Sequence, residues 1–105
     1  MRMEQTILKN LIYHEEFTRK VLPFLKEEYF TDRNEKLLFN QITEYVSKYN
    51  SNPTFEALVI QLNDTKITEE DYSTCVELLK EFSDSKTDLC KLDWLIDNSE
   101  KFCQD

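Results

Sequence analysis

The chain has 105 residues, contains no glycine and carries a formal net charge of −8, with 40% hydrophobic residues. This composition suits one folded domain, because the chain is too apolar to stay disordered and has an ordinary single-domain length. The absence of glycine excludes, within this chain, the phosphate-binding loops of P-loop ATPases, dinucleotide-binding enzymes and kinases. It also excludes the nucleophile elbow of hydrolases, since each of these loops needs backbone conformations that glycine supplies.

Hydrophobic residues recur at helical spacing along nearly the whole chain, so we expect an all-α fold, a compact bundle of five to six helices. The first helix is predicted over residues 3–13. A second, short helix is expected to carry an apolar stripe made of Phe17, Val21, Phe24 and Leu25. Pro23 should kink or end this helix, because proline cannot donate to the preceding turn. Residues 27–30 are predicted to form a turn or a short extended link.

Polar residues suited to helix N-caps mark the starts of the next three predicted helices, at Asp32, Thr54 and Thr68. Glu35 stands at the third helical position after Asp32, as in a capping box. The three helices are predicted to span about 33–50, then from Thr54 to about 63–65, and then from Thr68 to Phe82. A polar loop comes next at 83–88, and the last helix covers about 88–104.

We expect residues 1–105 to form a single helical domain, with a globular head over about 1–84 and a last helix over 88–105. That helix reaches the end of the chain without a glycine, asparagine or basic cap. We therefore expect the chain to be cut within a longer protein, and the helix to lead towards a linker or hairpin. No apolar run approaches the ~18 residues of a membrane span. The N-terminus also lacks the apolar core of a signal peptide, so a cytosolic protein without membrane contact is predicted.

Acidic residues are concentrated in the second half of the chain. Residues 1–52 carry 8 basic and 8 acidic side chains, whereas residues 53–105 carry 5 basic and 13 acidic ones. An acidic surface repels phosphate backbones, so the chain by itself should bind nucleic acid poorly. Such a surface suits either simple solvation or a basic protein partner.

The residue types that carry catalysis or bind metals are too sparse to form a site. Cys75, Cys90 and Cys103 form no closely spaced ligand pair, and we expect three structural thiols. His14 precedes Glu15 and Glu16 but has no second histidine at helical spacing, so it is expected to be exposed or to cap a helix. We therefore predict no catalytic, cofactor-binding or metal-binding residues, and a non-enzymatic chain.

The candidate contact residues lie in the acidic half of the chain. Trp94 lies about 160° around the helix axis from Leu92, away from the apolar stripe of the last helix. It is predicted to be either satellite core or partner surface, and tryptophan is enriched at binding hot spots. The residues predicted to contact a partner or another subunit are Glu77, Glu81, Trp94, Leu95 and Phe102.

Five segments, in this order, resemble the N-terminal domains of DnaB-family replicative helicases. They are MEQTILKNLI at 3–12, VLPFLKEEYF at 21–30, LLFNQI at 37–42, NPTFEAL at 52–58, and WLI at 94–96 before SEKF at 99–102. The details are closest to the members from T-even-type phages. Many bacterial members have a histidine where this chain has residues 34–36, and their link before that helix is one residue shorter. We therefore expect phage-specific partner contacts.

The resemblance implies a non-catalytic collar domain of a hexameric DNA helicase that acts in the cytoplasm of a phage-infected bacterium. Such domains self-associate within the ring and help to bind primase, and a helicase loader is a further expected partner. ATP and Mg²⁺ would belong to a motor domain that this chain lacks, and single-stranded DNA would be reached only through the full ring.

One alternative function stays open on the sequence. The acidic excess in residues 53–105 also suits a free-standing helical protein that mimics DNA or binds a basic partner. The gene beyond residue 105 distinguishes the two functions, because a helicase would continue to a glycine-rich phosphate loop and a free-standing protein would end at a stop codon.

Overall fold

A computed structural model describes residues 1–103 of the chain, and within them the fold is entirely helical, without a strand. The α-helices are α1 (Met3–Tyr13), α2 (Glu15–Val21), α3 (Arg33–Tyr49), α4 (Phe55–Asn63), α5 (Glu69–Asp84) and α6 (Leu92–Cys103). Two short 3-10 turns, Leu22–Phe24 and Glu27–Tyr29, connect α2 to α3. The predicted all-α bundle of five to six helices is confirmed.

The predicted N-caps start their helices. The side chains of Asp32, Thr54 and Thr68 each accept a hydrogen bond from a backbone N–H in the first turn, at 3.0 to 3.1 Å. His14 also caps a helix, as one of its predicted roles, because its Nδ1 accepts from the backbone N–H of Phe17 at 3.3 Å. The caps at Asp32, Thr54 and Thr68 each stabilise their helix by about 1 kcal/mol.

Asn50 ends α3 in a chain that has no glycine. Its φ of 53° and ψ of 36° lie in the left-handed region, and its N–H donates to the carbonyl of Val46 at 2.8 Å. Asparagine tolerates this region better than most residues, because its short polar side chain bonds locally. The sharp turn into the next loop therefore needs no glycine.

One hydrophobic core holds all six helices together. Helix α1 lies at its centre and packs against α2, α3 and α6, while α5 packs against α3 and α4. The fully buried side chains of the core include Ile7, Leu8, Leu11, Phe17, Phe30, Leu38, Ile42, Leu58, Leu62, Cys75, Phe82 and Leu95. No helix within residues 1–103 is both long enough and apolar enough to cross a bilayer.

The end of α2 departs from the prediction. Helix α2 stops at Val21, and the chain continues through the 3-10 turn that contains Pro23. Because a 3-10 turn has three residues per turn, the apolar stripe of α2 does not extend into it. Phe24, predicted to lie on that stripe, is therefore 72% exposed, whereas Leu25 is buried.

The boundaries of the last two helices also differ. Helix α5 continues to Asp84, where Ser85 donates its hydroxyl to the carbonyl of Glu81 at 3.0 Å. Helix α6 begins at Leu92, not near residue 88, because the carbonyl of Asp88 accepts instead from the buried ammonium of Lys9 at 2.7 Å. The predicted continuation of α6 into residues 104 and 105 lies outside the described residues. The predicted division into a globular head over about 1–84 and a last helix that leads towards a linker stays a prediction.

Candidate interaction surface

Trp94 lies in a shallow groove between the start of the chain and the outer face of α6. The groove has a volume of about 460 Å³, and its walls are Met1, Met3, Thr6, Trp94, Asn98, Lys101 and Phe102. Trp94 is 49% exposed there, and Met1 is also exposed. A half-exposed tryptophan beside thioethers offers an adaptable apolar surface, of the kind that protein partners use.

The amphipathic pattern of α6 directs Trp94 outwards. Leu95 and Ser99, four residues apart, face the core and are fully buried. Trp94 is about 100° away from Leu95 around the helix, so its indole lies at the solvent side. One turn after Trp94, the side-chain amide of Asn98 donates to the backbone carbonyl of Trp94 at 2.9 Å. The Asn98 amide is therefore bonded within α6.

Phe102 connects this groove to the aromatic part of the core. Its ring lies 5.4 Å from the ring of Phe30 and 6.3 Å from that of Tyr29, the latter edge-on. It is half-buried and also lines the groove. A partner that covers Trp94 would therefore also contact Phe102.

Leu95 corrects the predicted set of contact residues. Its side chain is fully buried in the core, so it is not accessible to a partner in the folded chain. A leucine next to an exposed tryptophan faces inwards because adjacent helical residues point about 100° apart. We exclude Leu95 from the interaction surface.

Glu77 and Glu81 lie elsewhere on the molecule. Both are exposed on α5, which packs chiefly on α3 and α4, whereas α6 packs on α1 and α2. Neither glutamate lines the groove of Trp94, and within residues 1–103 neither forms an ion pair. The predicted contact residues thus divide into an aromatic groove on α6 and an acidic strip on α5.

The first residues of the chain are held beside the groove by a buried carboxylate. Arg2 contacts Glu35, which is 1% exposed, and the side-chain amide of Gln5 donates to the same carboxylate oxygen at 3.2 Å. Burial raises the pKa of Glu35 above its ordinary value, although Arg2 and Gln5 act in the opposite direction. From the sequence, Glu35 was predicted only to be part of a capping box. Its contact with Arg2 joins residues 33 positions apart, so no pattern of neighbouring residues could predict it.

The residue types that could carry chemistry are dispersed. Within residues 1–103, no three His, Cys, Asp or Glu side chains are close enough together to hold a metal ion. Cys75 is buried with its Sγ 3.8 Å from the carbonyl of Asn34, and burial raises the pKa of its thiol to about 12. Such a thiol stays protonated and is a poor nucleophile.

Comparison with known proteins identifies a relative for nearly the whole chain. No protein-family model matches it. A DnaB-like replicative helicase from Enterobacteria phage T4 is 33% identical over 102 residues, which are 97% of this chain but 21% of the relative. The chain therefore spans about a fifth of the length of that helicase, a share consistent with an N-terminal domain. The predicted resemblance is confirmed: this chain is similar, over almost its full length, to one part of a DnaB-like replicative helicase of phage T4.

Proposed function

We propose that this chain is the non-catalytic N-terminal collar domain of a phage replicative DNA helicase, where it supports ring assembly and docks primase. The observation that carries the proposal is the 33% identity over 97% of the chain to a phage T4 helicase that is about five times longer. A helical domain that matches a fifth of a helicase is suited to assembly and docking. The motor domain elsewhere in the protein would supply the ATP and Mg²⁺ chemistry and the grip on single-stranded DNA.

The Trp94 groove is the proposed docking surface for primase. Trp94 and Phe102 supply apolar area that a partner can desolvate, and Met1 and Met3 can adapt to its shape. Desolvated aromatic side chains carry more of the affinity of an interface than rim charges do. The exposed Glu77 and Glu81 act at longer range and steer a basic, DNA-handling partner towards the domain.

Primase binding to the full-length helicase tests this docking role. We expect Trp94→Ala to weaken binding by roughly 30-fold, the effect of a hot-spot residue. Ile60→Ala is the matched control, because Ile60 is also a large exposed apolar residue but lies on α4, outside the groove. Melting curves of both variants establish that the fold is intact. Equal primase affinity for Trp94→Ala and wild type would show that the groove is not the docking site.

Charge reversal tests the steering role separately. Glu77→Lys and Glu81→Lys should slow the association of primase at low salt, with little effect on dissociation. The difference should disappear at high salt, since exposed charges are then screened. A change in the dissociation rate that persists at high salt would mean that these glutamates contact the partner directly.

Ring assembly is tested by removal of residues 1–105 from the full-length helicase. We expect the truncated helicase to form hexamers only at much higher protein concentration, as measured by light scattering with ATP and Mg²⁺ present. Hexamers at the same concentration as wild type would contradict the assembly role. If both this test and the primase test fail, the collar function is rejected.

A further inference from the structure

Phe102 also lines a different pocket, which we call the acidic pocket. Its other walls are Glu4 near the start of α1, Glu28 and Tyr29 in the second 3-10 turn, and Thr31 just before α3. Its volume is about 590 Å³, within the roughly 300–1,000 Å³ of ordinary ligand pockets. Because Phe102 belongs to both, the acidic pocket adjoins the groove of Trp94.

Two aromatic rings in the acidic pocket stand nearly perpendicular to each other. The planes of Tyr29 and Phe102 meet at 81°, with 6.3 Å between the ring centres, and both side chains are half-buried. The 3-10 turn holds Tyr29 in place, because its N–H donates to the carbonyl of Lys26 at 3.1 Å. Cations are attracted to the faces of such rings, and a wall that is already ordered lowers the cost of binding.

Glu28 brings a negative charge to the acidic pocket that the chain does not neutralise by direct contact. It is exposed, and within residues 1–103 it forms no ion pair, although Lys26 and Lys36 share a neighbouring shallow depression with it. An apolar side chain in the pocket would remove water from this carboxylate without replacing its hydrogen bonds. A phosphate or an acidic peptide would be repelled. The pocket therefore suits a cation.

Arg2 shows that a guanidinium fits beside this pocket. One of its nitrogens lies 3.9 Å from the carboxylate of Glu4, and the other contacts the buried carboxylate of Glu35. Two carboxylates thus share one guanidinium, and Oε1 of Glu35 has no hydrogen-bond partner within residues 1–103. The charge of Glu4 is therefore only partly compensated by Arg2, and a further cation between Glu4 and Glu28 is electrostatically favourable.

We propose that the acidic pocket binds an arginine side chain of the protein that docks on this domain. The guanidinium lies against the rings of Tyr29 and Phe102. It donates to the carboxylates of Glu28 and Glu4, with the hydroxyl of Thr31 as a further acceptor. Arginine fits better than lysine, because its flat guanidinium stacks on rings and bonds carboxylates through two N–H groups at once. The proposal deepens the docking role in the proposed function, on which it rests, by naming the chemistry of the partner at a second point of contact.

Titration of the 105-residue chain with N-acetylarginine amide, followed by NMR, tests the pocket without a partner protein. We expect the ring signals of Tyr29 and Phe102 to shift, with a Kd in the millimolar range. The citrulline derivative has the same shape but no charge, and should bind roughly 10-fold more weakly. The lysine derivative should bind roughly threefold more weakly, since an ammonium does not stack. No shift with the arginine derivative, or equal affinity for either of the other two, would overturn the proposal.

Two neighbouring glutamates supply matched variants for the same titration. Glu28→Gln removes a carboxylate from the pocket, whereas Glu27→Gln removes the same charge from the same 3-10 turn outside the pocket walls. Glu28→Gln should weaken binding of the arginine derivative by roughly fivefold, and Glu27→Gln by less than about twofold. Melting curves establish that both variants are folded. Equal weakening would mean that only the overall charge attracts arginine, and would refute the site.

The full-length helicase separates this proposal from the proposed function. Glu28→Gln should weaken primase binding by roughly 10-fold, beyond any effect of Glu27→Gln. A helicase that needs Trp94 for primase binding but tolerates Glu28→Gln would reject the arginine pocket alone. If the chain binds the arginine derivative through Glu28, but the helicase binds primase equally well without residues 1–105, the docking of primase is rejected and the arginine site is kept.

Discussion

The guanidinium of Arg2 contacts the carboxylate of Glu35, which connects the residue before α1 to the first turn of α3. The carboxylate is buried, and its Oε1 has no hydrogen-bond partner within residues 1–103. Burial raises the pKa of Glu35 more than Arg2 lowers it. The ionised form of Glu35 therefore lowers the free energy of unfolding relative to the protonated form. The stability of the chain then depends on the pH at which Glu35 titrates.

We predict that Glu35→Gln stabilises the chain at pH 7. A carboxyl whose pKa is higher in the folded than in the unfolded state favours folding when protonated, and this contribution is lost as pH rises through the unfolded and then the folded pKa. The amide resembles the protonated form, so the gain in melting temperature should be largest at neutral pH and should shrink as pH falls towards 4.

Arg2→Gln provides the opposite change. Because Arg2 lowers the pKa of Glu35, its removal should raise that pKa further and reduce stability at neutral pH. Thermal melts of wild type and both variants between pH 4 and pH 7.5 make the comparison. A Glu35→Gln variant with the same pH dependence as wild type would show that Glu35 titrates normally.

Asn52 should be a sensitive position for stability, although it lies in a loop. Its side-chain amide donates to the carbonyls of Leu11 and Ile12 at 3.1 Å and to the hydroxyl of Thr18 at 3.0 Å. We expect Asn52→Ala to cost about 1–3 kcal/mol, because it leaves the carbonyl of Ile12 without this donor, whereas the carbonyl of Leu11 keeps the hydroxyl of Thr18 at 2.8 Å. Asn40→Ala, at an exposed position within α3, is the control and should be nearly neutral. Urea unfolding measures both, and equal stabilities would contradict the role of this contact.

The neighbours Leu95 and Trp94 should respond differently to the same truncation. Leu95 is fully buried, so Leu95→Ala is expected to cost about 2–5 kcal/mol through lost burial and a cavity. Trp94 is half-exposed, and Trp94→Ala should cost clearly less. Denaturant midpoints of the two variants measure the difference. Equal losses would mean that the indole is packed inside, and would weaken its assignment to a docking surface.

The three cysteines should react with a thiol reagent in a fixed order. Cys90 is exposed, Cys103 is partly buried, and Cys75 is fully buried. Burial raises the pKa of both Cys103 and Cys75, that of Cys75 to about 12, which lowers the fraction of reactive thiolate. Mass spectrometry after iodoacetamide treatment of the folded chain should find Cys90 labelled first and Cys75 last. Labelling of Cys75 in denaturant confirms that the thiol is free, and early labelling in the folded state would contradict the packing of α5 on α3.

Apolar spacing and capping residues predicted the helices well, because both act within a few neighbouring residues. Asp32, Thr54 and Thr68 start their helices through bonds to N–H groups two or three residues away. Helix geometry placed Trp94 away from the apolar stripe of the last helix but left open whether it was satellite core or partner surface, and the structure leaves it 49% exposed. The same reasoning was wrong for Phe24, because the change from an α-helix to a 3-10 turn after Val21 altered the direction of the side chain.

The sequence by itself therefore determined the all-helical architecture and most helix starts, since these depend on local hydrogen bonding and on a period of 3.6 residues. Only the tertiary structure decided which distant residues meet. Lys9 reaches the carbonyl of Asp88, Arg2 reaches Glu35, and Met1 joins Trp94 across the groove. These contacts depend on how the helices pack against each other, and no spacing along the chain encodes which pairs that packing brings together.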